Sequence, residues 1–306
     1  MARPTLRIAT LLLAPALLAA CAGAQASPVL PSPTPPGAVR FIVGGDSRND
    51  SAHVVPWAFR GAKVREARAF LFLGDMELSP EMDEHFSKEL PLLDPIPFYP
   101  VIGNHEALVF GRFAVSTKAH EREFQKSFLD QKRTPVQSRY EDKVVYSVDL
   151  DGGVHFVALD NVSQKGFGEG QLRWVAGDLE QASKRPGTRH LIVGMHKALA
   201  RNGVTTHSME EDGPAAVADS DAMLATLVKF HVDLILASHE HQYSHFVQAG
   251  IESYLTGGLG APLKVESGPE HAYHHFLQLD VTDHAIAVSV VRFDGAPSTT
   301  TKEEVE

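Results

Sequence analysis

Five times along this chain a short apolar run stops at a small residue and hands over to a polar side chain. Residues 39–43 stop at Gly44-Gly45 and lead to Asp46, Ser47 and Arg48; residues 69–73 stop at Gly74 and lead to Asp75; residues 98–102 stop at Gly103 and lead to Asn104, His105 and Glu106. Further on, 191–193 and Gly194 lead to His196, and 232–237 and Ser238 lead to His239 and His241. Runs of this length read as buried strands, and glycine lets the backbone turn sharply and come close to a ligand. In α/β sheets, ligands bind beyond the carboxyl ends of the strands. The pattern therefore aims two Asp, one Asn and four His at one region. One Asp after a strand is ordinarily a helix cap or turn former, and one His there is ordinarily structural. Five strand ends that each offer a ligand for a hard or borderline metal form a joint pattern that those local roles do not explain. Carboxylate, amide oxygen and imidazole suit Zn, Mn or Fe.

Between the first three runs, 56–67 and 81–90 can be helices, with Pro56 at a first helical position and Pro91 as a stop. A βαβαβ start with a parallel sheet follows. Asp151-Gly152-Gly153, between runs at 144–150 and 154–159, signals a hairpin. Residues 171–183 place Leu172, Val175, Leu179 and Ala182 on one helical face, and 220–230 carries Met223, Leu224, Leu227 and Val228 at helical spacing. Strands at 253–256, 276–281 and 285–292 close the body. The class is α/β with mixed sheets, one domain spans 38–296, and 297–306 reads as a polar tail.

A single Cys in 306 residues excludes intrachain disulfides, Cys-based zinc ribbons and iron–sulfur clusters, so the 16 His and the carboxylates must hold any metal. The net charge of −10 opposes non-specific attraction to nucleic acid or anionic membrane. It does not oppose a small anionic substrate, because a bound metal inverts the local field. The oligomeric state is left open. Residues 1–21 read as an address rather than as fold. Arg3 and Arg7 precede an apolar run over 8–20 that is too short for an ordinary span and ends in Leu18-Ala19-Ala20-Cys21. This resembles the bacterial lipobox, which implies lipidation of Cys21; a plain signal peptide cut after Ala26 is the alternative. Either predicts export. The lipoprotein reading places the protein on the periplasmic side, at the outer membrane, touching lipid only through its anchor. Residues 22–37, rich in Ala, Ser and Pro, read as a tether.

The order Gly-Asp, Gly-Asp, Gly-Asn-His-Glu, Gly-x-His and His-x-His resembles the calcineurin-like metallophosphoesterase superfamily, which includes purple acid phosphatases. The resemblance runs from about 41 to 263, and is supported by Gln171-x-x-Trp174 and Thr256-Gly257-Gly258. It implies a four-layer α/β/β/α sandwich with two metal ions (divalent or trivalent Fe, Mn or Zn) at the strand ends. Asp75 would bridge them, Asp46 and His241 would hold the first, and Asn104, His196 and His239 the second. His105 matches the proton donor or transition-state stabiliser. Asn104 also faces the substrate. Glu106 could orient His105 or simply lie in solvent. His207, on a polar loop after the His196 strand, could reach the substrate or lie on the surface, and the remaining histidines read as structural. The implied activity is hydrolysis of phosphomonoesters or phosphodiesters by a metal-activated hydroxide.

One position departs from the pattern. Most members carry a His ligand two residues after the first Asp, where this chain has Arg48; purple acid phosphatases instead supply a Tyr three residues after the bridging Asp, where this chain has Leu78. Arg does not ligate. The first metal then binds weakly, with Arg48 on the substrate phosphate; Asn49 or Asp50 substituting as ligand, or Arg48 turned away into a salt bridge, are the alternatives. The rival functions are a periplasmic metal- or solute-binding lipoprotein and a catalytically weakened phosphoesterase. Dispersal of the ligands over five strand ends, with His105 spare for acid catalysis, favours the enzyme.

Overall fold

A computed structural model describes residues 33–48, 50, 52–76, 86, 88–109, 115–116, 118–132, 134–140, 142–293 and 303–305. The expected export signal, most of the tether, Asn49, Leu78 and most of the helix expected over 81–90 lie outside the described residues.

Phe41, Ile42 and Val43 are wholly buried, so residues 39–44 form an interior strand. This is β1 (Val39–Gly44), and β2 (Ala69–Phe72) and β3 (Phe98–Pro100) run parallel to it. A small hairpin follows, β4 (Leu108–Val109) with β5 (Val115–Ser116). The second sheet is built from β6 (Ser138–Tyr140), β7 (Val145–Leu150), β8 (Val154–Ala158), β9 (His190–Gly194), β10 (Leu234–Ala237), β11 (Tyr243–Gln248) and β12 (Ile251–Thr256). The last strands, β13 (His275–Val281), β14 (Ile286–Arg292) and β15 (Glu303–Val305), return to the first sheet. The sheet orders are β15-β14-β13-β1-β2-β3 and β11-β12-β10-β9-β8-β7-β6, both mixed. β15 pairs antiparallel with β14, within the stretch expected to be a tail. The strand β11 was not expected from the sequence; Pro- and Gly-free but polar at its start, it pairs antiparallel with β12.

The helices are α1 (Val54–Val64), α2 (Asn104–Ala107), α3 (Lys118–Phe124), α4 (Gly168–Ser183) and α5 (Pro214–Lys229). α1 starts two residues before Pro56 because the buried Asp50 accepts from the backbone N–H of Val54 (2.7 Å) and Val55 (3.0 Å), satisfying donors that a helix start leaves open. Gly152 and Gly153 both take positive φ (73° and 74°), which the β7–β8 turn requires.

Side-chain alternation fixes the layers. In the second sheet, Phe156, Ile192, Leu234 and Leu236 share one core with Phe41, Val43 and Leu277 of the first sheet. Their neighbours Val157, Leu191, Val193, Ile235 and Ala237 join a second core with Val175 and Leu179 of α4 and Met223 and Leu227 of α5. Successive strand residues face opposite sides, so one face meets the other sheet and the other meets helices. On the far side, Ala58, Phe59 and Ala62 of α1 pack on the first sheet, and Trp57 lies 4.7 Å from the Phe276 ring of β13. The arrangement is the expected α/β/β/α sandwich. The register of the first sheet is held by Arg40 of β1, whose buried guanidinium donates to both oxygens of its cross-strand partner Asp280 at 2.6 and 3.0 Å. The parallel strands β1, β2 and β3 of one sheet and β8, β9, β10 and β12 of the other bring their carboxyl ends together, because backbone bonds cross between the sheets there. Leu259 N–H, after β12, donates to Gly45 O at 3.0 Å, and Ala261 N–H donates to Asp46 O at 2.8 Å.

Candidate metal centre

The loops after β1 and β2 are sewn to each other. Asp46 N–H donates to Gly74 O (3.0 Å), and the N–H groups of Ser47 and Arg48 both donate to Asp75 O (3.0 and 3.1 Å). Glu106 completes the stitching: its buried carboxylate accepts from Asp75 N–H (2.9 Å) and Gly103 N–H (2.8 Å). It neither orients the His105 ring nor lies in solvent, the two roles open from sequence; it locks the ends of β2 and β3 together. Gly103 is obligatory, since a Cβ there would lie 2.2 Å from Asp75 N and 2.3 Å from its Oδ1. One more carbonyl ties the second sheet on. Leu73 O accepts from His196 Nδ1 (2.7 Å) and from Ser238 Oγ (2.6 Å).

The sharp turns fall on the functional residues as well as on the glycines that precede them. Asp46, Arg48, Asp75 and His239 all adopt positive φ (61°, 48°, 57° and 71°). Each such residue costs about 1–2 kcal/mol relative to ordinary backbone, strain of the kind that folds concentrate at functional sites.

All six expected ligands converge. Asp75, His196 and His239 offer donor atoms within 4.8 Å of one another, as do Asp46, Asp75 and His241. Asn104 Oδ1 adds a 2.9 Å contact to His196 Nε2. The tautomers suit ligation. His196 Nδ1 donates to Leu73 O and His241 Nδ1 to Pro262 O (both 2.7 Å), which turns each Nε2 inward. His239 is inverted, with Nδ1 inward, 3.2 Å from His196 Nε2. Asp46 and Asp75 are wholly buried, and among the described residues Asp46 Oδ1 and Asp75 Oδ2 accept no hydrogen bond. Buried carboxylate oxygens without donors are costly unless a cation meets them, so the donor set fits metal ions at both positions.

Protonation follows the same charges. Burial alone would lower the His196 imidazolium, but the Asp75 carboxylate 3.2 Å away carries it up to about 9, with Asp46 behind it. Asp75 is held below the usual carboxylate range because that cation outweighs its burial. Burial pushes Asp46 up to about 7, with His196 opposing and Asp75 adding. Burial pushes His239 down to about 3 despite its bond to Glu211, and it lowers His241 too, with Arg48 adding. Those two imidazoles are neutral and ready to ligate.

Arg48 is not turned away from the site: its Nε lies 3.7 Å from Asp75 Oδ2. Asp50 is not a substitute ligand, because both its oxygens serve α1. His105 N–H donates to Asp75 Oδ1 (3.0 Å), and its Nε2 lies 3.7 Å from Asp75 Oδ2. His207 is half-exposed yet stacks on the His239 ring, with centroids 4.2 Å apart. His275 is structural, bonded to Thr256 Oγ1 and Tyr273 O, and His245 pairs with Glu252. Gln171 is a scaffold residue, its amide clamping both backbone groups of Asp160. Sequence reasoning missed Glu211, which reaches His239 from the turn Met209–Asp212, and Lys197, which follows His196 and bonds Glu211 (2.5 Å); the His207-to-Glu211 spacing was a trace of the first.

Comparison with known proteins agrees with this fold. The family model for calcineurin-like phosphoesterases matches residues 40–243. Probable purple acid phosphatase 20 of Arabidopsis thaliana is 24% identical over 243 residues, 74% of this chain and 51% of that protein. Purple acid phosphatase PPD1 from yellow lupin (Lupinus luteus) seeds has a similar fold, with TM-score 0.63 and 15% identity over 87% of this chain and 54% of that one. A dimetal phosphatase from Danio rerio gives 0.61 and 13% over 87% and 98%. The chain thus spans about half the length of the two plant relatives.

Because a ligating imidazole must give up its proton, Mn or Zn binding at pH 7.5 is expected to release protons. His196 is charged below about 9 and Asp46 is partly protonated near 7, so release shrinks as pH approaches 9. Calorimetry in buffers of different ionisation enthalpy reads this directly; heats independent of the buffer would contradict it.

Proposed function

We propose that this chain, which belongs to the calcineurin-like phosphoesterase family, is an exported, metal-dependent hydrolase of small phosphate esters. The observation that carries this reading is the pair of buried carboxylates, Asp46 and Asp75, ringed by neutral or inward-facing imidazoles at the ends of the parallel strands. Asp46, Asp75 and His241 would hold a first metal ion, and Asp75, Asn104, His196 and His239 a second. When bound, such ions supply positive charge for phosphoryl oxygens and acidify water.

The chain's own residues supply the rest. Arg48 stands beside Asp75 where a further ligand is expected, and its planar donors suit two phosphoryl oxygens at once. It therefore binds and orients the ester while leaving the first metal with three protein ligands. His105 Nε2, on the Asp75 side, gives its proton to the leaving oxygen. Burial pushes this imidazole down to about 4, with Asp75 opposing and Arg48 adding, so the free enzyme holds the acid form mainly at low pH. An arriving phosphate anion favours the protonated ring. His207, stacked on His239 at the rim, borders the substrate's entry.

Turnover of p-nitrophenyl phosphate and its bis ester with added Mn or Zn tests the activity and separates monoesterase from diesterase. His105→Ala is expected to slow alkyl phosphates by roughly 10²–10⁴-fold and p-nitrophenyl phosphate far less, since that leaving group needs little protonation. For alkyl esters the contribution of His105 to kcat/KM falls as pH rises through a midpoint below the ordinary imidazole range, and the variant loses that dependence. No turnover of any ester, with metal binding intact, would favour a binding protein instead. Arg48→His should tighten the weaker metal and raise KM; two equally tight metals in both proteins would contradict the assigned role. Lipid anchoring at the periplasmic side rests on Leu18–Cys21. Cys21→Ser should move the protein from the membrane to the soluble fraction, and an unchanged distribution would contradict an anchor.

A further inference from the structure

A carboxylate outside the six expected ligands, that of Glu211, bonds the side chain of one of them. Glu211 lies in the 3-10 turn Met209–Asp212, whose first turn is capped by Ser208 Oγ accepting from Glu210 N–H at 3.3 Å. Glu211 Oε1 is 3.0 Å from His239 Nε2 and 2.5 Å from Lys197 Nζ. Its other oxygen, Oε2, is 2.5 Å from His207 Nδ1. Lys197 directly follows His196 and also bonds Asp212 at 2.7 Å, so the charge of the turn is balanced from the β9 side.

An ionised carboxylate only accepts hydrogen bonds. The His239 contact therefore requires a proton on Nε2, which leaves the Nδ1 lone pair directed inward, beside His196 and Asp75. His196 and His241 instead turn Nδ1–H to backbone carbonyls, which leaves Nε2 on the inner side. His239 has a side chain for this purpose, and that side chain belongs to the loop that carries His207. The His207 ring, held by the same carboxylate, covers the His239 face at an angle of 26°.

We propose that Glu211 is a positioning residue: it fixes His239 as the Nε2–H tautomer, presents Nδ1 to the second metal position, and clips the 199–213 loop with His207 to that ligand. The inference rests on the reading of His239 as a ligand. Partners of this kind orient metal-bound histidines, and their loss typically lowers metal affinity about 10–100-fold.

The test uses the full chain with Glu211→Gln and Glu211→Leu. In ¹⁵N-histidine spectra of metal-stripped wild type, His239 is expected as the Nε2–H tautomer; Glu211→Gln, which keeps an acceptor, retains it, and Glu211→Leu loses the preference. In calorimetric Mn titrations, Glu211→Leu is expected to weaken one of two sites by about 10–100-fold with the other unchanged, and Glu211→Gln to lie between. An Nδ1–H tautomer in wild type overturns the proposal, whether or not the leucine variant folds. So does a folded Glu211→Leu protein with the wild-type tautomer and both affinities intact. If wild type binds no metal but its tautomer depends on Glu211, the positioning role stands and the metalloenzyme reading fails.

Discussion

Two carboxylates, Asp46 and Asp75, are wholly buried with one oxygen of each lacking a hydrogen-bond donor among the described residues. Taking a carboxylate from water into a protein interior costs several kcal/mol unless positive charge meets it. Much of the surrounding structure answers that cost. His196 draws in a proton against its own burial, Arg48 lies 3.7 Å from Asp75 Oδ2, and His241 Nε2 lies 3.6 Å from Asp46 Oδ1. No single one of these contacts neutralises both carboxylates, and together they outline places where cations belong.

Holding those charges fixed needs both sheets. The Leu73 carbonyl accepts from His196 and Ser238, so the end of β2 is bound to the loops after β9 and β10. Glu106 binds the ends of β2 and β3, and the loop after β12 binds the end of β1. This network over-determines the backbone and can sustain left-handed φ at Asp46, Arg48, Asp75 and His239. Beneath the site, one core fills the space between the sheets and continues under α1, and a second lies under α4 and α5; both carry the strands whose ends hold the site.

Much of this was legible in the sequence, for a physical reason. A buried strand must be apolar, a strand end must turn, and a ligand must be polar, so Val43 to Asp46, Leu73 to Asp75 and Ala237 to His239 each write three constraints side by side. The mixed α/β class and the convergence of polar strand ends followed from these constraints; the four-layer sandwich and the individual ligand roles came through the family resemblance. Contacts between loops were not legible. Glu106 reads as an orienter of His105 or a solvated residue, and only the folded chain shows it capping two backbone N–H groups 3 and 31 positions away. Asp50 reads as a spare ligand because nothing local reveals that α1 begins at Val54. Glu211 is 28 residues from His239, on a segment with no period. Arg48 carried the clearest departure from the family pattern, and its place beside Asp75 gives that departure a meaning.

The central claim is that two cations share the Asp75 carboxylate at this strand-end cluster. Anomalous diffraction from crystals soaked in Mn tests it most directly. The account predicts two peaks flanking Asp75, one among Asp46, Asp75 and His241, the weaker of the two, and one among Asp75, Asn104, His196 and His239. A single peak, or peaks away from Asp75, would contradict it.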